Sequence, residues 1–164
     1  LVDSVRFSPY SDAEPALVAL RAKDLKLIVV SNWDISLSSV LENCGLASLL
    51  DAALSSAEAG SRKPEPGIFA TALELAGCEP AEALHVGDTA EEDCDGARAA
   101  GIRALLLDRE DRAGDISSLA QIVSGRVPAR TRSRRLVRTG ISSTVRIAAS
   151  RTTLPCSPST SRIW

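Results

Sequence analysis

The 164-residue chain has no methionine, one histidine and only 3% aromatic residues. With so few rings, any core must be built from Ala, Leu, Val and Ile. No apolar run approaches the roughly 18 residues of a membrane span, and no signal-peptide pattern opens the sequence, so no membrane partner is expected. The four cysteines, Cys44, Cys78, Cys94 and Cys156, are far apart with no C-x-x-C pair. That spacing reads as reduced thiols in a cytoplasmic protein. A chain without methionine that starts at Leu1 is expected to be a piece of a longer protein.

Charge of one sign is missing from the end of the chain. Residues 125–164 hold nine arginines, no lysine and no acid, so all 21 acidic residues lie in the first 124. The net charge of −2 therefore averages an acidic body and a basic tail. The tail is rich in Arg, Ser and Thr, with little periodicity of either kind. It reads as disordered or as out-of-frame translation, and its removal is expected to cost little stability. Basic tails bind nucleic acid through phosphate neutralisation, but no aromatic is interleaved before Trp164 to stack on bases. A nucleic-acid partner is thus not favoured, and the oligomeric state is not legible.

The body alternates strand and helix signals. Asp12 can cap a helix that carries Pro15 in its first turn and runs through Ala22. "LKLIVVS" (25–31) is the near-continuous apolar run of a strand buried on both faces. A helix around Leu37–Asn43 ends at Gly45, and 49–56 is a weaker strand. Pro66–Ala76 reads as a helix closed by Gly77. "EALHVG" (82–87) is a strand, 91–100 a helix, 102–107 a strand and Ile116–Val123 a last helix. Such alternation implies βαβ units and an α/β fold with a Rossmann-like parallel sheet flanked by helices. The expected organisation is a linker remnant in 1–10, a partial core in 11–124 and the tail in 125–164.

Three strand ends or neighbouring loops carry polar groups. Ser31, Asn32 and Trp33 follow the first long strand, and Lys63 precedes the proline-opened helix. Asp88 and Asp93 follow "ALHVG". Thr89-x-x-Glu92 fits a capping box, which accounts for Glu91 and Glu92 as helix-start acids but leaves Asp88 and Asp93 unexplained. In open α/β sheets ligands bind at the carboxyl ends of strands. A hydroxyl, an amine and two carboxylates there suit a phosphate and a hard cation such as Mg²⁺. His85, inside its strand, is expected to pack rather than react.

In this order, "LKLIVVS", "RKPEPGIF" and "GDTAEED" resemble the second, third and fourth motifs of the haloacid dehalogenase-like hydrolase superfamily. The resemblance covers about residues 10–123 and is nearest to the capped small-molecule phosphatase branch. It implies that Ser31 binds the transferring phosphoryl group and that Lys63 stabilises that group and the nucleophile. It implies Asp88 as a Mg²⁺ ligand with Asp93 supporting the metal, and Asn32 and Trp33 facing a small phosphorylated substrate.

The superfamily's first motif, an Asp-x-Asp at a strand end, has no match. The only Asp-x-Asp is Asp93-Cys94-Asp95, already placed on a helix. Asp3 has no apolar strand before it. The missing strand would lie between the strands ending at Ser31 and Gly87, so either a gap or a non-family pairing of those two strands is expected. The functional expectation is a fragment of a Mg²⁺-dependent phosphomonoester phosphatase working through an aspartyl-phosphate, inactive as it stands. A 2-haloacid dehalogenase is the second reading, disfavoured by Gly87-Asp88 where that branch has Ser-Asn. A non-enzymatic remnant with a basic tail is the third.

Overall fold

The computed structural model describes residues 7–110, 113–126, 146–149 and 161–163. The short strand β1 (Phe7–Pro9) leads into helix α1 (Ala13–Arg21), which buries Ala13, Ala16, Leu17 and Leu20 on one face. Strand β2 (Leu27–Ser31) is followed by α2 (Leu37–Asn43) and by β3 (Ala52–Ser55). Ser55 ends β3 and also caps α3 (Ser56–Ala59) in a capping box with Glu58. Helix α4 (Pro66–Ala76) starts on its proline, and Gly77 at φ +60° closes it. Strand β4 (Ala83–Gly87), helix α5 (Gly96–Ala99), strand β5 (Arg103–Leu106) and helix α6 (Ala120–Val123) complete the body.

The main sheet has five strands in the order β3-β2-β6-β4-β5, every neighbouring pair parallel. Apolar residues fill both of its faces, as a sheet covered by helices requires. Leu27, Leu84 and Val86 join α1, α2 and the segment around Leu119 on one side. Ile28, Val30 and Ala104 join Ile68, Phe69 and Ala72 of α4 and Ala97 of α5 on the other. This is the expected helix-flanked parallel α/β architecture.

The unexpected strand is β6 (Arg146–Ala149), drawn from the arginine-rich tail. It takes the centre of the sheet, with Leu27, Ile28 and Val29 on one side and Ala83 to Val86 on the other. No gap is left: β2 and β4 each pair with this tail strand, a pairing foreign to the resembled fold. A second tail strand, β7 (Ser161–Ile163), pairs in parallel with β1. These two short strands are the described parts of a tail expected to be disordered or only weakly structured. Ladder pairing needs backbone N–H and C=O groups rather than apolar periodicity, so composition was a poor guide to it. The rest of the tail, including Cys156, lies outside the described residues.

Three smaller differences have local causes. Residues 90–95 wind as a wide π-turn rather than the start of a regular helix, with Cys94 N–H donating to Thr89 C=O at 3.4 Å. The Thr89 side chain makes no cap hydrogen bond, so the expected Thr89–Glu92 box is absent. The last helix shortens to Ala120–Val123 because Ile116 forms a bridge to Leu107 at the end of β5. Among the described residues, no helix is long and apolar enough to cross a membrane.

Candidate active site at the carboxyl edge

Register fixes where the strand ends lie. Val29 of β2 and Val86 of β4 both pair with Ala149 of β6. Ser31 and Asp88 each follow two residues later, so they sit level at the carboxyl edge, separated by the width of one strand. With strands about 4.8 Å apart, that spacing is about 10 Å between backbones. Ser31 is buried at 3% exposure, whereas Asp88 is exposed.

Lys63 is brought to this edge from the loop before α4. Its backbone N–H donates to Asn32 Oδ1 at 2.8 Å, and Asn32 Nδ2 donates back to the Lys63 carbonyl at 3.0 Å. The same Asn32 amide donates to Glu92 Oε2 at 3.0 Å. Asn32 is thus a clamp that ties the end of β2 to the lysine loop and to the turn after β4. Its amide is spent on protein groups, in place of the substrate contact expected for it. Trp33 is also turned to the protein: its indole N–H donates to Ser36 Oγ at 3.1 Å, and its ring meets Phe7 edge-on at 5.3 Å.

The centre of the site is a fully buried ion pair. Lys63 and Asp93 side chains are both 0% exposed, with Nζ 2.6 Å from Oδ1. Asp93 Oδ2 accepts the Thr89 backbone N–H at 3.0 Å, and His85 Nε2 lies 3.4 Å from Oδ1. Burial by itself would raise the Asp93 pKa. The His85 hydrogen bond and the Lys63 charge overcome it and hold the carboxyl well below its ordinary range. Burial drives the His85 pKa down, which makes the ring neutral at pH 7. Neutral His85 then donates from Nε2 to Asp93, leaving a buried Nδ1 without a partner. His85 does pack, edge-on against Phe69 at 5.4 Å, but it also supports the ion pair. Only its side of the strand, shared with Ala83 and facing α4, could have signalled this.

Gly87 is explained by the same carboxylate. A Cβ at this position would fall inside the Asp93 side chain. Gly96 similarly leaves room for Pro64 Cα and Phe69 Cε2, each 2.9 Å from where its Cβ would stand. Gly87→Ala should displace Asp93 from Lys63 and cost at least about 2 kcal/mol, the upper range for overpacking a tight site. Urea denaturation checks this, and a loss below about 0.5 kcal/mol, the scale of an ordinary surface substitution, would show that Asp93 can shift freely.

A cavity of about 440 Å³ borders Asp88 and is also lined by Tyr10, Asp108, Arg109 and Glu110. It does not include Ser31 or Lys63. Arg109 lies over the Tyr10 ring at 3.9 Å and pairs with Asp12 at 2.9 Å. Asp12 also accepts Ser118 Oγ and Leu119 N–H, tying the start of α1 to the segment before α6.

The donor set does not by itself make a Mg²⁺ site. Asp93 is committed to Lys63, Thr89 and His85, which leaves Asp88 as the exposed one of the two expected metal carboxylates. No cluster of three or more His, Cys, Asp or Glu residues suited to a metal occurs among the described residues. Mg²⁺ asks for several oxygens in octahedral geometry, so further ligands are needed.

A parallel, helix-covered sheet with a serine, a buried lysine and an exposed aspartate at its carboxyl edge defines the class: a Rossmann-like α/β core with polar groups gathered where such folds bind ligands. Comparison with known proteins makes the class specific. Residues 4–101 match the family model for haloacid dehalogenase-like hydrolases. The bovine haloacid dehalogenase-like hydrolase domain-containing protein 3 is 46% identical over 95 residues, 58% of this chain and 38% of the relative. A phosphoserine phosphatase of Thermus thermophilus is 39% identical over 111 residues, 67% of this chain and 45% of that enzyme. The crystal structure of a HAD phosphatase from Thermococcus onnurineus superposes with a TM-score of 0.68 at 30% identity, covering 71% of this chain and 57% of that one. The chain belongs to the haloacid dehalogenase-like hydrolase family. It spans less than half the length of these two curated relatives.

Proposed function

We propose that this chain is the phosphate-binding half of a phosphatase core acting on small phosphomonoesters. The observation that carries the reading is the Lys63 assembly. A lysine locked by Asp93 through its amine and by Asn32 through its backbone is preorganised positive charge, the kind of group that stabilises a phosphoryl group in transfer. Ser31, level with Asp88 across the edge, supplies a hydroxyl donor to a phosphoryl oxygen. Asp93 serves this reading as the anchor of the lysine, a role distinct from the metal support expected of it. Asp88 remains the carboxylate that can face a cation, and Mg²⁺ bound there would supply charge neutralisation once other oxygens complete its shell.

Two features argue that the chain as given does not turn over. It contains no Asp-x-Asp at the carboxyl end of a strand, and Lys63 has no solvent-exposed surface. Neither Ser31 nor Lys63 replaces a carboxylate nucleophile. Purified residues 1–164 should therefore show no hydrolysis of p-nitrophenyl phosphate with Mg²⁺ present. A chimera extended upstream by an apolar strand ending in Asp-x-Asp, together with a cap, should gain Mg²⁺-dependent hydrolysis and lose it on Asp88→Ala or Lys63→Ala. Turnover by the unextended chain that survives Asp88→Ala would overturn the assignment.

A further inference from the structure

Glu92 fits a helix-start acid by sequence, yet its carboxylate does no capping. Asp93 Oδ2 takes the Thr89 N–H that a capping acid would bind, which leaves Glu92 able to reach across to the end of β2. There its Oε2 accepts Asn32 Nδ2 at 3.0 Å, while Arg62 Nη2 stands 3.7 Å from Oε1. The two contacts are unequal. At 3.7 Å and with the Arg62 side chain 59% exposed, the ion pair is loose and weak. The Asn32 bond ends on an ionised acceptor, which makes it about twice as strong as a neutral one. Asn32 has two amide N–H donors and spends one on the Lys63 carbonyl and one on Glu92, while its Oδ1 takes the Lys63 N–H. The two bonds to Lys63 make the asparagine and the lysine backbone one unit. The Glu92 bond ties that unit to the turn that carries Asp88.

We propose that Glu92 is a positioning residue, which holds the Asn32–Lys63 unit at a fixed distance from the Asp88 turn. Asp93 ties the same turn to the lysine amine, but through a flexible four-carbon stem, so the amine is placed only as well as the backbone that bears it. Glu92 fixes that backbone. What the spacing serves rests on the phosphatase reading: Lys63 and Ser31 meet the phosphoryl group and Asp88 meets the cation, so the two halves act together only at one separation. The role accounts for an acid that neither capping nor the expected cation site uses.

The test is amide hydrogen exchange by NMR on the full chain, reading the Lys63 backbone N–H against the ladder amides of β2 and β4. Glu92→Ala should speed exchange at Lys63 about ten-fold, the loss of one charge-assisted hydrogen bond, and leave the ladder amides within about two-fold. Glu92→Gln keeps an acceptor for Asn32 and should stay close to wild type at Lys63, as should Arg62→Gln. In Asn32→Ala the Lys63 N–H has lost its acceptor. Adding Glu92→Ala there should speed it no further, because the carboxylate acts on the lysine backbone only through that amide. If Glu92→Ala does not fold, Glu92→Leu fills the space without offering an acceptor. Unchanged Lys63 exchange in the variant without an acceptor would overturn the proposal. So would an equal rise at Lys63 and the ladders, the mark of a general stabiliser. A Glu92→Gln as fast as Glu92→Ala, or a further rise in the double variant, would do the same. None of these readouts depends on phosphatase activity, so the proposal can fail while that reading stands, and the reverse.

Discussion

Asp93→Ala should destabilise the protein by about 3–5 kcal/mol, because it leaves the Lys63 ammonium buried without its counter-charge. The pair is closed to solvent on both sides, so this loss escapes the screening that makes surface ion pairs weak. Asp93→Asn keeps an acceptor for Lys63 and Thr89 and should lose less. Lys63→Met in the Asp93→Ala background should recover part of the loss, since an apolar side chain of similar volume removes the orphaned charge. Urea denaturation of the wild type, Asp93→Ala, Lys63→Met and the double variant closes the cycle, and a double variant less stable than Asp93→Ala alone would mean that the lysine is not stranded. The pH dependence follows from the carboxyl's lowered pKa. Its contribution should be complete above the unfolded carboxylate value near ~3.9 and should be lost as pH falls below that toward the depressed folded value.

A chain ending at Arg126 should lose its cooperative thermal transition. Removing β6 takes the ladders from one edge of β2 and one edge of β4 at once, in the middle of the sheet. Those backbone groups lie beside apolar clusters, where water is a poor substitute partner. A milder version is Ala148→Pro, which deletes one ladder N–H and should cost about 3 kcal/mol, the scale of a proline within regular structure. Circular dichroism melts of the intact, truncated and proline chains give the comparison. A truncated chain that melts at the intact temperature would show that β6 contributes nothing to the fold.

Much of the body was legible because its signals are local. Leu27–Ser31 is readable as a strand from five residues, four of them apolar. Pro66 and Gly77 mark both ends of α4 by their own backbone preferences. The level placement of Ser31 and Asp88 follows once the strands are parallel. The roles of Asn32 and His85 were not legible, since each depends on a partner 31 or 8 residues away in the chain. The substrate contact for Asn32 came from the family resemblance alone, which carries no sign that its amide also bonds the Lys63 backbone and Glu92. The Thr89 box failed for a related reason: Asp93, not Glu92, reaches the turn and takes the Thr89 N–H. β6 was hidden because its four residues lie within a tail dominated by Arg, Ser and Thr, too short a run to stand out from that background.

The burial of Lys63 gives the protein a chemical clock. The sequence holds only three lysines, Lys23, Lys26 and Lys63. The first two extend at the surface, with their amines on the carbonyls of Val123 and Leu75. An amine-reactive ester added to the folded protein can reach those two directly. It can acylate Lys63 only in molecules whose ion pair has come apart and opened to water. The rate at which modified Lys63 appears by mass spectrometry gives the open fraction at low reagent, and reaches the opening rate itself once acylation outpaces reclosing.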